Sequence, residues 1–200
     1  AQRMADEVSA LLRARAPVIL VQTPEEVRAE SAIKEAAAAN KCQVFLWDRV
    51  TGVTDMSDKV ADVYKPDGNG GTISIKGNEK EVKSPDVVLG AINTDKRKAI
   101  WVLRDFSGYL NDPTIQRMVR TLARALPCSP ITKTIVLLSP RGELPPELSD
   151  VVITVRLDLP DRAEIGTTFD TIVRALKPPP ELKNSIKAED RLLYATRLAA

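Results

Sequence analysis

The chain has 200 residues, of which 44% are hydrophobic and 28% charged, a globular composition with enough apolar mass for one domain and an appendage. Its net charge of +2 gives no reason to expect nucleic acid or an anionic membrane as partner. Histidine is absent, which removes the usual general base, the commonest zinc ligand and any Ser-His or Cys-His nucleophile pair.

Residues 4 to 15 predict a short amphipathic helix, with Met4, Val8, Leu11 and Leu12 on one side, ended by Pro17. Val18-Ile19-Leu20-Val21 is a continuous apolar run, as in a strand buried on both faces. In Thr23-Pro24-Glu25-Glu26, Thr23 fits an N-cap, Pro24 the first helical position and Glu26 the third, a capping box opening an Ala-rich helix to about Asn40. Gln43 to Trp47 is the second strand. From Gly52 to Ser84 the chain turns polar, with a Pro66–Gly71 turn cluster beside the alternating Thr72-Ile73-Ser74-Ile75. That stretch reads as a mobile surface insertion in the form of a β-hairpin.

Pro85 to Asn93 restarts helix, and Ala99 to Leu103 is the third buried strand, closed by Arg104-Asp105. Asp112-Pro113 opens a helix with the stripe Ile115, Val119, Leu122 and Leu126. Thr134–Leu138 and Val151–Val155 are the fourth and fifth strands. A helix from about Asp161 carries Ile165, Phe169, Ile172 and Leu176, and Pro178-Pro179-Pro180 forms a stiff spacer before a last helix over 181–200. Alternating strands and helices predict an α/β three-layer sandwich around a mostly parallel, five-stranded sheet.

Ligands of such sheets bind beyond the carboxyl ends of the strands. A phosphate-binding turn there would read G-x-x-x-x-G-K-[ST]. This chain instead has Gln22-Thr23-Pro24-Glu25-Glu26, with no glycine, one lost N–H at Pro24, and negative charge from Glu25 and Glu26 at the helix N-terminus. Asp105 ends a buried strand, where a magnesium-binding carboxylate would sit, but Phe106, Ser107 and Gly108 supply no acidic neighbour. An ion pair or turn cap is its simpler role. Gly68 to Gly71 fits a hairpin tip. Arg117, Arg120 and Arg124 form a basic stripe opposite the apolar stripe of their helix, a solvated face or a docking surface for an acidic partner. Cys42 and Cys128 read as reduced cytosolic thiols.

Several segments together resemble a known family. These are Leu11–Pro17 with Thr23–Arg28, Phe45-Leu46-Trp47 with Gly52, Ile100–Phe106, Ile135–Pro140, Leu144–Leu148 and Leu159–Glu164. In order and spacing they resemble the N-terminal region of AAA ATPases of the hypothetical chloroplast reading-frame type, which are similar to the sporulation protein K ATPases. The resemblance spans about residues 7 to 176. It implies a degenerate, AAA-like P-loop NTPase topology without the phosphate loop, over residues 1–176. The spacer and helix of 177–200 would then lead to an active module beyond.

The resemblance also implies a non-catalytic regulatory or recognition domain. It binds a protein partner or neighbouring subunits, in a homo-oligomer built through the full-length AAA module. ATP and magnesium are expected for that module only, with no cofactor in this segment. A cytoplasmic setting without a membrane partner follows. Two alternatives stay open: an assembly module using Arg117, Arg120, Arg124 and the last helix, and a nucleotide-binding α/β enzyme using Asp105 with an atypical loop.

Overall fold

A computed structural model describes residues 2–140, 143–157, 159–160 and 165–167. The expected helix from Asp161, the spacer and the last helix lie outside the described residues, save 165–167. The chain divides into two compact units, Ala1–Leu157 and Asp158–Ala200. The fold below is that of the first.

Helix α1 (Gln2–Arg13) leads through a turn at Pro17 into strand β1 (Val18–Gln22). Helix α2 (Glu26–Ala39) follows, then β2 (Gln43–Asp48) and β3 (Gly52–Asp55). Strands β4 (Asp62–Pro66) and β5 (Thr72–Lys76) form a separate antiparallel hairpin. Next come α3 (Pro85–Thr94), β6 (Ala99–Arg104), α4 (Pro113–Ala125), β7 (Lys133–Ser139) and β8 (Ile153–Arg156). The main sheet has six strands in the order β3-β2-β6-β7-β1-β8. All neighbours are parallel except β3, which runs antiparallel to β2.

The five strands read from the sequence are all present, and β3 is a sixth. It lies where a polar insertion is expected, because four residues opening on a glycine carry too little apolar signal to read as a strand. The segment after β3 packs against it and covers its outer edge. Val53 N–H donates to the Gly77 carbonyl at 2.9 Å, Ala61 N–H to Val53 at 3.1 Å, and Asp55 N–H to Lys59 at 2.8 Å. Gly77 itself donates to Ala61 at 2.8 Å. The hairpin is tied to α3 by Thr94 Oγ1 on the Tyr64 carbonyl at 2.6 Å, and Val63 is fully buried. At its tip, Asp67 Oδ1 accepts from the Asn69 and Gly71 amides, each at 2.8 Å.

Side-chain alternation along the strands divides the core in two. Val18, Leu20, Trp47, Trp101, Leu103, Ile135 and Leu137 pack with α3 and α4. Ile19, Val21, Leu46, Ile100, Val102, Val136 and Leu138 pack with α1 and α2. The buried face of α2 is mainly Ala29, Ala32, Ala36 and Ala37, small enough to bring α1 close. The result is a helix-sheet-helix sandwich. The crossover after β1 runs over one face and the later crossovers return over the other. The order therefore reverses at β1, and a crevice opens at the carboxyl end of the sheet, beyond β2 and β6 and against the start of α2.

Candidate functional site

Three turns meet at that crevice. After β1, the Thr23 N–H donates to the Ser139 carbonyl at 3.1 Å, which extends the β1–β7 ladder by one residue. Thr23 Oγ1 accepts from Glu25 N–H at 3.0 Å. The expected capping box therefore does not form. Thr23 is drawn into the sheet end and buried, helix α2 begins at Glu26 instead of Pro24, and the N-cap is Glu25 without a side-chain cap bond. Glu25 pairs instead with Arg28.

The turn does not fit a phosphate group. A phosphate loop needs free backbone N–H donors converging on one point. Here the Thr23 and Glu25 amides are already bonded and Pro24 has none. Negative charge also occupies the crevice. Arg104, the last residue of β6, extends into it, with Nε 2.6 Å from Glu30 Oε1 and 3.6 Å from Glu26 Oε1, and a terminal nitrogen 3.6 Å from Asp48 Oδ2. Glu26 and Glu30 stand four residues apart on one face of α2, and Asp48 ends β2.

Electrostatics follow from this packing. The Glu30 hydrogen bond raises the Arg104 pKa above its ordinary value against the opposing effect of burial, with the Glu30, Glu26 and Asp48 charges adding to it. Glu26 is pushed up, first by burial and then by Glu30, Asp105 and Asp48, with Arg104 acting the other way. Burial works against the Asp48 charge too. Bonds from the Thr51 hydroxyl and the Thr51 and Val50 amides (2.6 and 2.7 Å) outweigh it and hold Asp48 below the usual carboxylate range.

Asp105 follows Arg104 in a left-handed conformation, φ 52°, ψ 23°, and heads a short 3-10 turn over Phe106–Tyr109. Its amide donates to the Leu138 carbonyl at 2.9 Å, and its side chain is exposed. It shares a cavity of about 280 Å3 with Glu26, Asp48, Arg49, Val50, Arg104 and Tyr109. Ser107 and Ser139 hydroxyls meet beside it at 2.8 Å. Among the described residues no three carboxylate or thiol side chains converge in a geometry that would hold a metal ion.

The fold thus brings Thr23, Glu25, Glu26 and Asp105 to one end of the sheet. Arg117, Arg120 and Arg124 stand apart on α4, the first and last exposed and Arg120 half-buried. Arg104, Glu30 and Asp48 meet in the candidate site, and reading the sequence does not bring them together. The usable signal was an arginine closing an apolar strand and a Glu pair at helical spacing.

Residues 4–157 match the family model described as SpoVK-like AAA ATPase, N-terminal domain. The chain is 29% identical over 174 residues to the AAA domain-containing protein ycf46 of Trieres chinensis, covering 86% of this chain and 31% of that protein. It is 30% identical over 188 residues to ycf46 of Guillardia theta, covering 91% and 33%. The chain therefore spans about a third of the length of the curated relatives it matches. Among solved structures it is similar to a chain of the HORMA:CdnC:Trip13 complex of E. coli MS115-1. There the TM-score is 0.51 at 11% identity, over 90% of this chain and 69% of that one, a likeness of fold. With its mostly parallel sheet, its crevice at the strand ends and a family match over most of its length, the chain belongs to the SpoVK-like AAA ATPase N-terminal domain family.

Proposed function

We propose that this chain is a non-catalytic regulatory or recognition domain of a longer AAA+ ATPase. The observation that carries the proposal is the filled crevice. Where a nucleotide would place its phosphates, Glu26 and Glu30 surround Arg104 and the turn amides are spent within the chain. A triphosphate would have to displace these contacts and meet uncompensated carboxylates. Binding of protein, in a cytoplasmic setting, is the role proposed for the domain. ATP and magnesium would serve only a module elsewhere in the full-length protein.

Isothermal titration of this chain with ATP and magnesium tests the reading. The expected result is no heat of binding at nucleotide concentrations up to about 1 mM. Saturable binding in the micromolar range would overturn it.

A further inference from the structure

Strand β2 is longer than its outer neighbour. The β2–β3 ladder runs from Asp48 opposite Gly52 to Phe45 opposite Asp55, and Gln43 and Val44 extend past it. At that point the chain after β3 turns back on itself. Asp55 Oδ1 accepts from the Ser57 and Lys59 amides at 2.7 and 3.1 Å, and Asp58 adopts φ 57°. The Gln43 N–H donates to the Lys98 carbonyl at 3.0 Å, on the β6 side. Strand alternation turns the next N–H, that of Val44, the other way, and it has no acceptor among the described residues. Val44 is itself buried, so its amide is an unspent donor of a kind that folded chains rarely leave.

A cavity of about 560 Å3 opens here, between the end of α2, the start of β2 and strand β4. Ala37, Val44, Phe45 and Met56 give it an apolar wall. Its two carboxylates are occupied, Asp55 by its own turn and Asp62 by Lys76 at 2.7 Å. Its cations are not. Lys34, exposed on α2, makes no ion pair among the described residues. The Arg97 guanidinium lies over the Phe45 and Tyr64 rings, 4.1 and 5.0 Å from their centroids, with Nε and one terminal nitrogen on Asp95. Its other terminal nitrogen meets no acceptor among the described residues. The Val44 amide, Lys34 and Arg97 thus leave donors unspent around one apolar cavity, the complement of a carboxylate attached to an apolar residue. We infer that this cavity captures the C-terminal end of an extended peptide. The peptide main chain pairs with Val44, its carboxylate takes the free donors, and its last side chain lies on the apolar wall. An interior segment laid beside Gln43 and Val44 would run into the end of β3, whereas a chain end stops short of it.

This inference rests on the recognition reading and deepens it, placing a peptide end at the opposite end of β2 from the crevice. The two fail separately. Nucleotide binding would remove the recognition reading, whereas a chain that binds neither nucleotide nor peptide loses only this inference. The probe is acetyl-Ala-Thr-Val with a free C-terminal carboxylate, titrated into the isotope-labelled chain and followed by NMR. It should shift the Val44 amide resonance with a Kd of about 1 mM and slow the hydrogen exchange of that amide. The same peptide ending in an amide should bind about tenfold more weakly. Acetyl-Ala-Glu-Val amide, whose carboxylate is on a side chain, separates the two sources of that group and should bind no better than the amide. Lys34→Glu, at an exposed position of α2, should weaken the free acid about threefold to tenfold. Circular dichroism checks that this variant folds, and Lys34→Gln takes its place if it does not. No shift at Val44 with roughly 10 mM probe would overturn the inference. So would an amide or side-chain carboxylate peptide that binds as well as the free acid, or a Lys34 variant with unchanged affinity.

Discussion

Arg104 and Asp48 show how charge is settled one residue at a time. Arg104 sits at the last position of a buried strand, where its neighbours on β2 and α2 decide its surroundings. Asp48 is held mainly by its own turn, because its two oxygens accept from the Val50 and Thr51 amides and the Thr51 hydroxyl. Its lowered pKa means that its contribution to stability is present above 3.8, the ordinary value, and is lost as the pH falls through the lower folded value. Asp48→Asn should therefore cost about 1 kcal/mol at neutral pH, and this deficit should shrink below pH 3.8. Urea denaturation of both proteins at pH 7 and in acid measures it. A deficit that does not change with pH would place the loss in packing and not in charge.

Between elements, glycines set the distance of closest approach. Gly52, at φ +84°, and Gly77 place two backbones in direct contact. A Cβ on Gly77 would stand 2.2 Å from the Val53 carbonyl oxygen and 2.8 Å from that of Ala61, and one on Gly52 would stand 2.0 Å from the Gly77 oxygen. These atoms belong to the backbone and cannot rotate away. Gly77→Ala should destabilise the domain by about 2–4 kcal/mol. A Cβ added at Gly90 in α3 would meet only open space, so Gly90→Ala should stabilise by about 0.5–1 kcal/mol through helix propensity. Thermal melts of the two variants should move in opposite directions. The same contact explains what the sequence concealed. The long apolar strands were legible because four or five consecutive buried residues leave an unbroken run. Strand β3 was not, because its place depends on a glycine some 25 residues further along. The capping motif at Thr23 was legible and misleading, since a local pattern could not foresee that the Ser139 carbonyl would take the Thr23 amide.

At the scale of the molecule, the mostly parallel sheet between two helical layers followed from the alternation of strands and helices; the strand order came from the structure. So did the composition of the crevice. Arg104, Glu30 and Asp48 come from three separate elements, and no window of sequence contains them together. Among the described residues no helix is long and apolar enough to cross a membrane. The compact unit Ala1–Leu157 and the family match over 4–157 end at the same residue. A fragment of residues 1–157 should fold by itself, with one cooperative thermal transition in circular dichroism. A broad, non-cooperative melt would show that residues after 157 complete its core.

Strand β3 carries one more consequence. The rim of an open sheet offers free amides and carbonyls to any extended chain that drifts past, the usual start of strand exchange and fibril growth. On this rim the outward amides of Val53 and Asp55 already answer to Gly77 and Lys59, so an invading peptide finds no template there. The polar stretch after β3 thus serves as built-in protection against aggregation along that margin.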